Sequence, residues 1–235
     1  MIAKEVIAQL EKMGDPQIKS ILLKHGAKEP VFGVRIGDMK PIVKKVKKDY
    51  QLSLDLYNSG VYDAMYLAGL IADEEKMSKQ EINDWCRKSK STGLCEYTVA
   101  WVAAESKFGW ELGMEWIDSK DEKIASSGWA TLSGWISLKP DEELDIKTIR
   151  LLLKRIEKEI HGAPNRVRYV MNGFIISTGA YVKELTDESI KTAKKNGIVM
   201  VEMEGTACKV PSAPDYIQKV IDKGGWGKKK KTVKC

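Results

Sequence analysis

Residues that most enzyme chemistry depends on are scarce in this sequence. Only two histidines, His25 and His161, occur among 235 residues. Each directly precedes a glycine at an expected helix end, where an imidazole meets the last carbonyls favourably. That placement argues for structural roles rather than proton transfer or metal binding. The four cysteines, Cys86, Cys95, Cys208 and Cys235, form no CxxC pair and have no neighbouring histidine. This excludes a zinc-finger pattern and a disulfide framework, and no metal or cofactor is expected. Cys208 reads as a small buried apolar residue. The longest charge-free run, Ile124 to Leu138, spans fifteen residues and is rich in Ser and Gly, short of the ~20 apolar residues of a membrane-spanning helix. The opening MIAKEVIAQLEKMG lacks the apolar centre and small-residue cleavage site of a signal peptide. No membrane partner is expected, and the reading is of a cytoplasmic, reduced protein. The glycines of GVRIGD, residues 33–38, have the wrong spacing for a phosphate-binding loop.

Charge is present in abundance but unevenly. The formal net charge is +6, and the closing KGGWGKKKKTVKC holds six lysines and no acid. Residues 1–222 are therefore neutral, with 33 bases and 33 acids, which excludes a uniformly basic, histone-like coat. Residues 223–235 read as a flexible basic tail on a single domain spanning 1–222. Within that domain Lys44, Lys45, Lys47 and Lys48 cover one side of a helix whose other side is Met39, Ile42, Val43 and Val46. Lys147, Arg150 and Lys154 form a stripe opposite Ile149, Leu152, Leu153 and Ile156, and Arg166 and Arg168 open the following helix. Residues 111–145, by contrast, hold nine acids and three bases. Basic faces of this kind hold phosphate backbones by counterion release; they are equally the ordinary solvated faces of helices.

Apolar spacing is helical almost throughout. Ile2, Val6, Leu10 and Met13 mark a first helix, Gly14-Asp15-Pro16 starts a second, and Asp38 is the expected cap of a third. Further helices are expected over 61–71, 78–88, 92–107, 111–117, 121–138, 141–160, 164–179, 186–195 and 213–222. At 198–210 (IVMVEMEGTACKV) β-branched residues alternate with polar ones, which predicts a small β-hairpin. Tyr66, Trp101, Trp135 and Phe174 recur at intervals of 35, 34 and 39 residues, the period of stacked helix pairs. The expected fold is all-α, a HEAT-like helical-repeat solenoid with a C-terminal β-hairpin. Seven tryptophans are present; most belong in helix interfaces, and a few are available to stack on a base or sugar.

Three segments carry a family resemblance: FGVRIGDMK (32–40), LCEY (94–97) and NGFIISTG (172–179). They resemble signatures of the DNA alkylation repair family, the AlkD-like HEAT-repeat DNA glycosylases, and the likeness extends through most of residues 1–195. The resemblance implies double-stranded DNA as partner, alkylated or branched. It also implies hydrolysis of the N-glycosidic bond of cationic purines such as 3-methyladenine or 7-methylguanine. An alkylated purine is already a good leaving group, so the demand falls on a carboxylate that stabilises the sugar cation. Glu96 stands at that carboxylate position and is the implied catalytic residue. Thr92, Ser127 and Gly173 stand where the family places a Trp, an Arg and a second Trp. Trp101, Trp129 and Phe174 are the candidate cleft aromatics in their stead. The other readings are a family member that binds DNA without catalysis, and a scaffold whose concave face binds a protein partner.

Overall fold

Helices form where the apolar spacing places them, and their starts follow local capping chemistry. The computed structural model describes residues 1–203 and 209–234. Helix α1 (Ala3–Lys12) ends before Gly14, and the Asp15 carboxylate caps α2 (Pro16–Lys24) by accepting from the Gln17 and Ile18 amides at 2.8 and 3.3 Å. Helix α3 (Ile36–Val46) begins two residues ahead of the expected cap: Asp38 lies inside its first turn, where a carboxylate still complements the helix dipole.

Helix α4 (Tyr50–Asn58), opened by Asp49 accepting from the Leu52 amide, is absent from the sequence-based reading. Its leucines at 52, 54 and 56 alternate and mask the helical face, which consists of Leu52, Ser53, Leu56 and Tyr57. Helices α5 (Tyr62–Ile71) and α6 (Lys79–Lys88) follow. A six-residue π-helical turn, Leu94–Val99, then leads into α7 (Ala100–Glu105). The remaining helices are α8 (Gly109–Trp116), α9 (Glu122–Leu138), α10 (Ile146–Glu159), α11 (Asn165–Tyr181), α12 (Thr186–Asn196) and α13 (Ala213–Asp222). None of the described helices is long and apolar enough to cross a membrane.

The packing resolves into two rows. Helix α5, the π-turn with α7, then α9, α11 and α13 lie against one another in succession, while α4, α6, α8, α10 and α12 back them as an outer row. Each repeat thus buries one face on its own partner and another on the next pair, which is how a solenoid builds a core without a central axis. Two apolar clusters result: one from Val6 to Trp116, the other from Ile117 to Ile217. Glycines let the inner row close up. A Cβ on Gly69 in α5 would lie 2.5 Å from Thr98 Cγ2 in the π-turn.

Two expectations change. No strand occurs among the described residues, and 204–208, the middle of the expected hairpin, lie outside them. The alternation around them is real, since Val199 is buried while Ile198 and Met200 are exposed. The backbone, however, pairs with a side chain instead of a strand: Asn165 Nδ2 donates to Glu202 O at 2.9 Å, and the Glu202 amide donates to Asn165 Oδ1 at 2.7 Å.

The basic tail, expected to be flexible, packs back across the inner row as a strap. Trp226 Nε1 donates to Thr186 Oγ1, the Lys230 amide donates to Ser137 O, and the Val233 amide donates to Glu105 Oε1. Lys234 reaches Glu74, Glu105 and Ala72 O. Its lysines alternate between such buried partners and solvent, which is why composition alone reads as a solvated arm.

Candidate nucleic-acid interface

The FGV segment is held by a residue that carries no motif of its own. Asp63 of α5, almost fully buried, accepts from the amides of Phe32 at 2.6 Å, Gly33 at 3.4 Å and Val34 at 2.7 Å. Gly33 adopts a φ of +85°, and a Cβ there would meet the α2 backbone at 2.5 Å. The clasp fixes the loop that leads into α3 and places Ile36 at the edge of a groove.

That groove runs along the inner row and has two recesses. The first, about 370 Å³, is bounded by Leu22 and His25 of α2 and its end, Ile36, Tyr62 and Tyr66 of α5, Thr92, Gly93, Tyr97 of the π-turn, Arg166 and Tyr169 of α11, and residues 202–203. The second, about 220 Å³, lies between the π-turn, α9 and α11 and is lined by Glu96, Trp101, Gly134, Gly173 and the strap residues Lys230 and Val233. Tyr97 and Tyr169 stand between the two, lining both. Trp101 braces the divide, with its ring 5.7 Å from those of Tyr66 and Tyr97. Burial, reinforced by the Asp63 carboxylate, pushes the Tyr62 phenol up to about 12, so it remains a hydrogen-bond donor near neutral pH.

Glu96 sits on the π-turn with 5% of its surface exposed. Both carboxylate oxygens are taken by one guanidinium: Arg166 Nε donates to Oε1 at 2.9 Å and Nη2 to Oε2 at 2.5 Å. Burial pushes the Glu96 carboxyl up, and Arg166 offsets this only in part. For Arg166, burial opposes the charge, but the bonds to Glu96 outweigh it and hold the guanidinium protonated. Its far side lies over the Tyr169 ring, 4.4 Å from the centroid.

The other expected site residues are dispersed. Trp101 reaches the groove, with 8% exposure, whereas Trp129 and Phe174 are fully buried and pack edge to face at 5.3 Å inside the second cluster. Their apolar character is spent on the α9–α11 interface. Ser127, also fully buried, donates to Cys95 O at 3.0 Å and so satisfies a carbonyl of the π-turn. Gly173 leaves open space where a side chain would be.

Lys44, Lys45 and Lys47 are exposed at the end of α3, and Lys48 pairs with Glu74. Lys147 and Lys154 are exposed on α10, in the outer row, and no α10 residue lines either recess. Arg150 is bound to Glu184 and Glu188 at 3.2 and 2.8 Å. Arg168 lines neither recess, and its Nε is buried without a hydrogen-bond partner among the described residues. Of the basic residues singled out in the two segments, Arg166 alone lines either recess. The four groove tyrosines come from three separate elements and carry no local signature in the sequence that marks them as a site.

Comparison with known proteins places these features in context. The family model described as DNA alkylation repair enzyme matches residues 6–202. An uncharacterised protein of Listeria innocua and another of Listeria monocytogenes are each 31% identical over 216 residues, 90% of this chain and 93% of theirs. A solved structure superposes with a TM-score of 0.91 at 35% identity and full coverage of both chains. It represents a family related to the HEAT-like repeat DNA glycosylases, with affinity for branched DNA structures.

Proposed function

The chain belongs to the DNA alkylation repair enzyme family, and on that premise we propose that it binds branched DNA without cleaving a glycosidic bond. The observation that carries this reading is the state of Glu96. A carboxylate that stabilises a sugar cation must present its charge to the substrate. Both oxygens of Glu96 are instead committed to Arg166. The neighbouring positions support the same conclusion: Thr92, Ser127 and Gly173 replace the family's Trp, Arg and Trp, and Ser127 has a structural role beside the π-turn. The affinity of the structural relative for branched DNA supports junctions as the ligand class.

Junction and plain duplex DNA titrated with the purified protein test the proposal. Junctions are expected to bind more tightly, with affinity falling steeply as salt rises. Salt-independent binding, or none at low salt, would favour a protein-binding scaffold. Release of 3-methyladenine or 7-methylguanine from methylated DNA, abolished by Glu96→Gln, would establish the glycosylase instead.

A further inference from the structure

We propose that the C-terminal strap is a track for a DNA backbone, with Lys228, Lys230 and Lys231 contacting phosphates of one arm of a branched DNA. The inference rests on the DNA-binding reading and says which surface of this chain meets the backbone. Because residues 1–222 are neutral, the whole formal excess of +6 belongs to residues 223–235.

The strap crosses the C-terminal ends of the inner row from α11 to α5. The Gly227 amide donates to Ala180 O of α11, Lys229 Nζ to Ile136 O and the Lys230 amide to Ser137 O of α9, and Lys234 Nζ to Ala72 O just beyond α5. Helix C-termini carry partial negative charge, and three carboxylates, Glu74, Glu105 and Asp141, stand at the same ends. Left bare, that rim would repel a phosphate backbone. Two strap lysines turn inward and answer it: Lys229 pairs with Asp141 at 2.8 Å, and Lys234 with Glu74 and Glu105 at 2.9 and 3.8 Å.

The other lysines of the strap are left to solvent. Lys228, Lys230 and Lys231 are exposed and form no ion pair among the described residues. Lys230 lies over the Tyr181 ring, 5.1 Å from its centroid, a contact that places the ammonium without neutralising it, and it lines the second recess of the groove. Inward anchors hold these outward cations in place before DNA arrives, so less freedom is lost on binding than from a flexible arm. The strap also ends beside the basic end of α3, because Glu74 is shared by Lys234 and Lys48. Two lysine-rich segments from opposite ends of the chain abut there.

Salt titration of junction binding by the full chain, read by fluorescence anisotropy, tests the track. The parent is compared with a strap variant combining Lys228→Gln, Lys230→Gln and Lys231→Gln. A control of equal net charge combines Lys120→Gln, Lys158→Gln and Lys191→Gln, at three exposed lysines on or beside the outer-row helices that form no ion pair among the described residues. The strap variant is expected to lower the slope of log affinity against log salt by about 3, and the control to leave it unchanged. Thermal unfolding should coincide for the three proteins, since every replaced side chain is exposed. A strap-variant slope lowered by less than about 1, or by no more than the control's, would overturn the track and leave DNA binding standing. Parent binding that is independent of salt, or absent at low salt, would overturn both.

Discussion

Arg166 and Glu96, seventy residues apart in the chain, meet as a bidentate pair in which the carboxylate is buried and the guanidinium lines the groove. The pair joins the π-turn to α11 across the inner row, and it turns the one carboxylate expected to do chemistry into part of the groove's frame. Removing a single partner from such a pair strands a buried charge.

Arg166→Met keeps much of the stem's volume and removes the guanidinium. It is expected to destabilise the fold by about 3 kcal/mol at pH 8. Burial already raises the Glu96 carboxyl above its ordinary value, and losing Arg166 removes the main opposing influence. A carboxyl whose folded pKa exceeds its unfolded value contributes stability below the unfolded value and loses it as pH rises through the folded one. The variant should therefore regain stability toward pH 5 more steeply than the parent. Urea denaturation at pH 5 and pH 8 checks this; equal deficits at both would show that Glu96 does not rely on Arg166.

Lys234 makes the opposite prediction at the other end of the groove. It contacts Glu74, which is 6% exposed and also held by Lys48. Burial pushes the Glu74 carboxyl up, but Lys234 and Lys48 outweigh it and bring it below the ordinary 4.5. A lowered folded pKa contributes stability above the unfolded value that is lost as pH falls through the folded one. Lys234→Met should cost about 2 kcal/mol at pH 7, and the deficit should shrink below pH 4.5. Acid titration of thermal stability measures it; an unchanged deficit in acid would place the effect in packing of the strap rather than in the charge.

The repeat architecture was legible because its anchors are large and regularly spaced: Tyr66, Trp101, Trp135 and Phe174 fall on α5, α7, α9 and α11, consecutive members of the inner row. Helix α4 was hidden by alternating leucines, and the strap by a composition that resembles a solvated arm. At 198–200 exposure alternates as the period-two pattern implies, but the hairpin read from that pattern does not form among the described residues, and pattern cannot name the hydrogen-bond partner, here Asn165. The site was harder to read for the same reason. Family resemblance singled out Glu96, and charge spacing singled out Arg166. That the two neutralise each other depends on a contact across the fold, as does the gathering of Tyr62, Tyr66, Tyr97 and Tyr169 around one recess.

Exposure and pairing divide the basic candidates into two groups with different expected effects on DNA. Lys44, Lys45 and Lys47 are exposed and make no ion pair among the described residues, so each is available to a phosphate. Replacing any one with Ala should reduce the slope of log affinity against log salt by about 1. Arg150 is already committed to Glu184 and Glu188 on the outer row, and Arg150→Ala should leave the slope unchanged. Salt titrations of junction binding for the four variants distinguish the groups. A slope change at Arg150 as large as at Lys44 would move the duplex to the outer face.

Two glycines on the inner row should respond to the same substitution with opposite sign, because what surrounds them differs. Gly173 lies in the middle of α11, and a Cβ added there would meet nothing within 4 Å. Gly173→Ala removes backbone freedom from the unfolded chain without a clash and should stabilise by about 0.5–1 kcal/mol. Gly69, by contrast, faces Thr98, with Cγ2 2.5 Å and Cα 3.3 Å from the added carbon. Gly69→Ala forces α5 away from the π-turn that carries Glu96 and should cost about 1–3 kcal/mol. Thr98→Ala removes the nearer atom, so the double variant should recover part of that loss, with a coupling energy of about 0.5 kcal/mol or more in a double-mutant cycle. Additive losses would mean that the π-turn adjusts freely, and in that case its geometry could not be what holds Glu96 and Tyr97 at the groove.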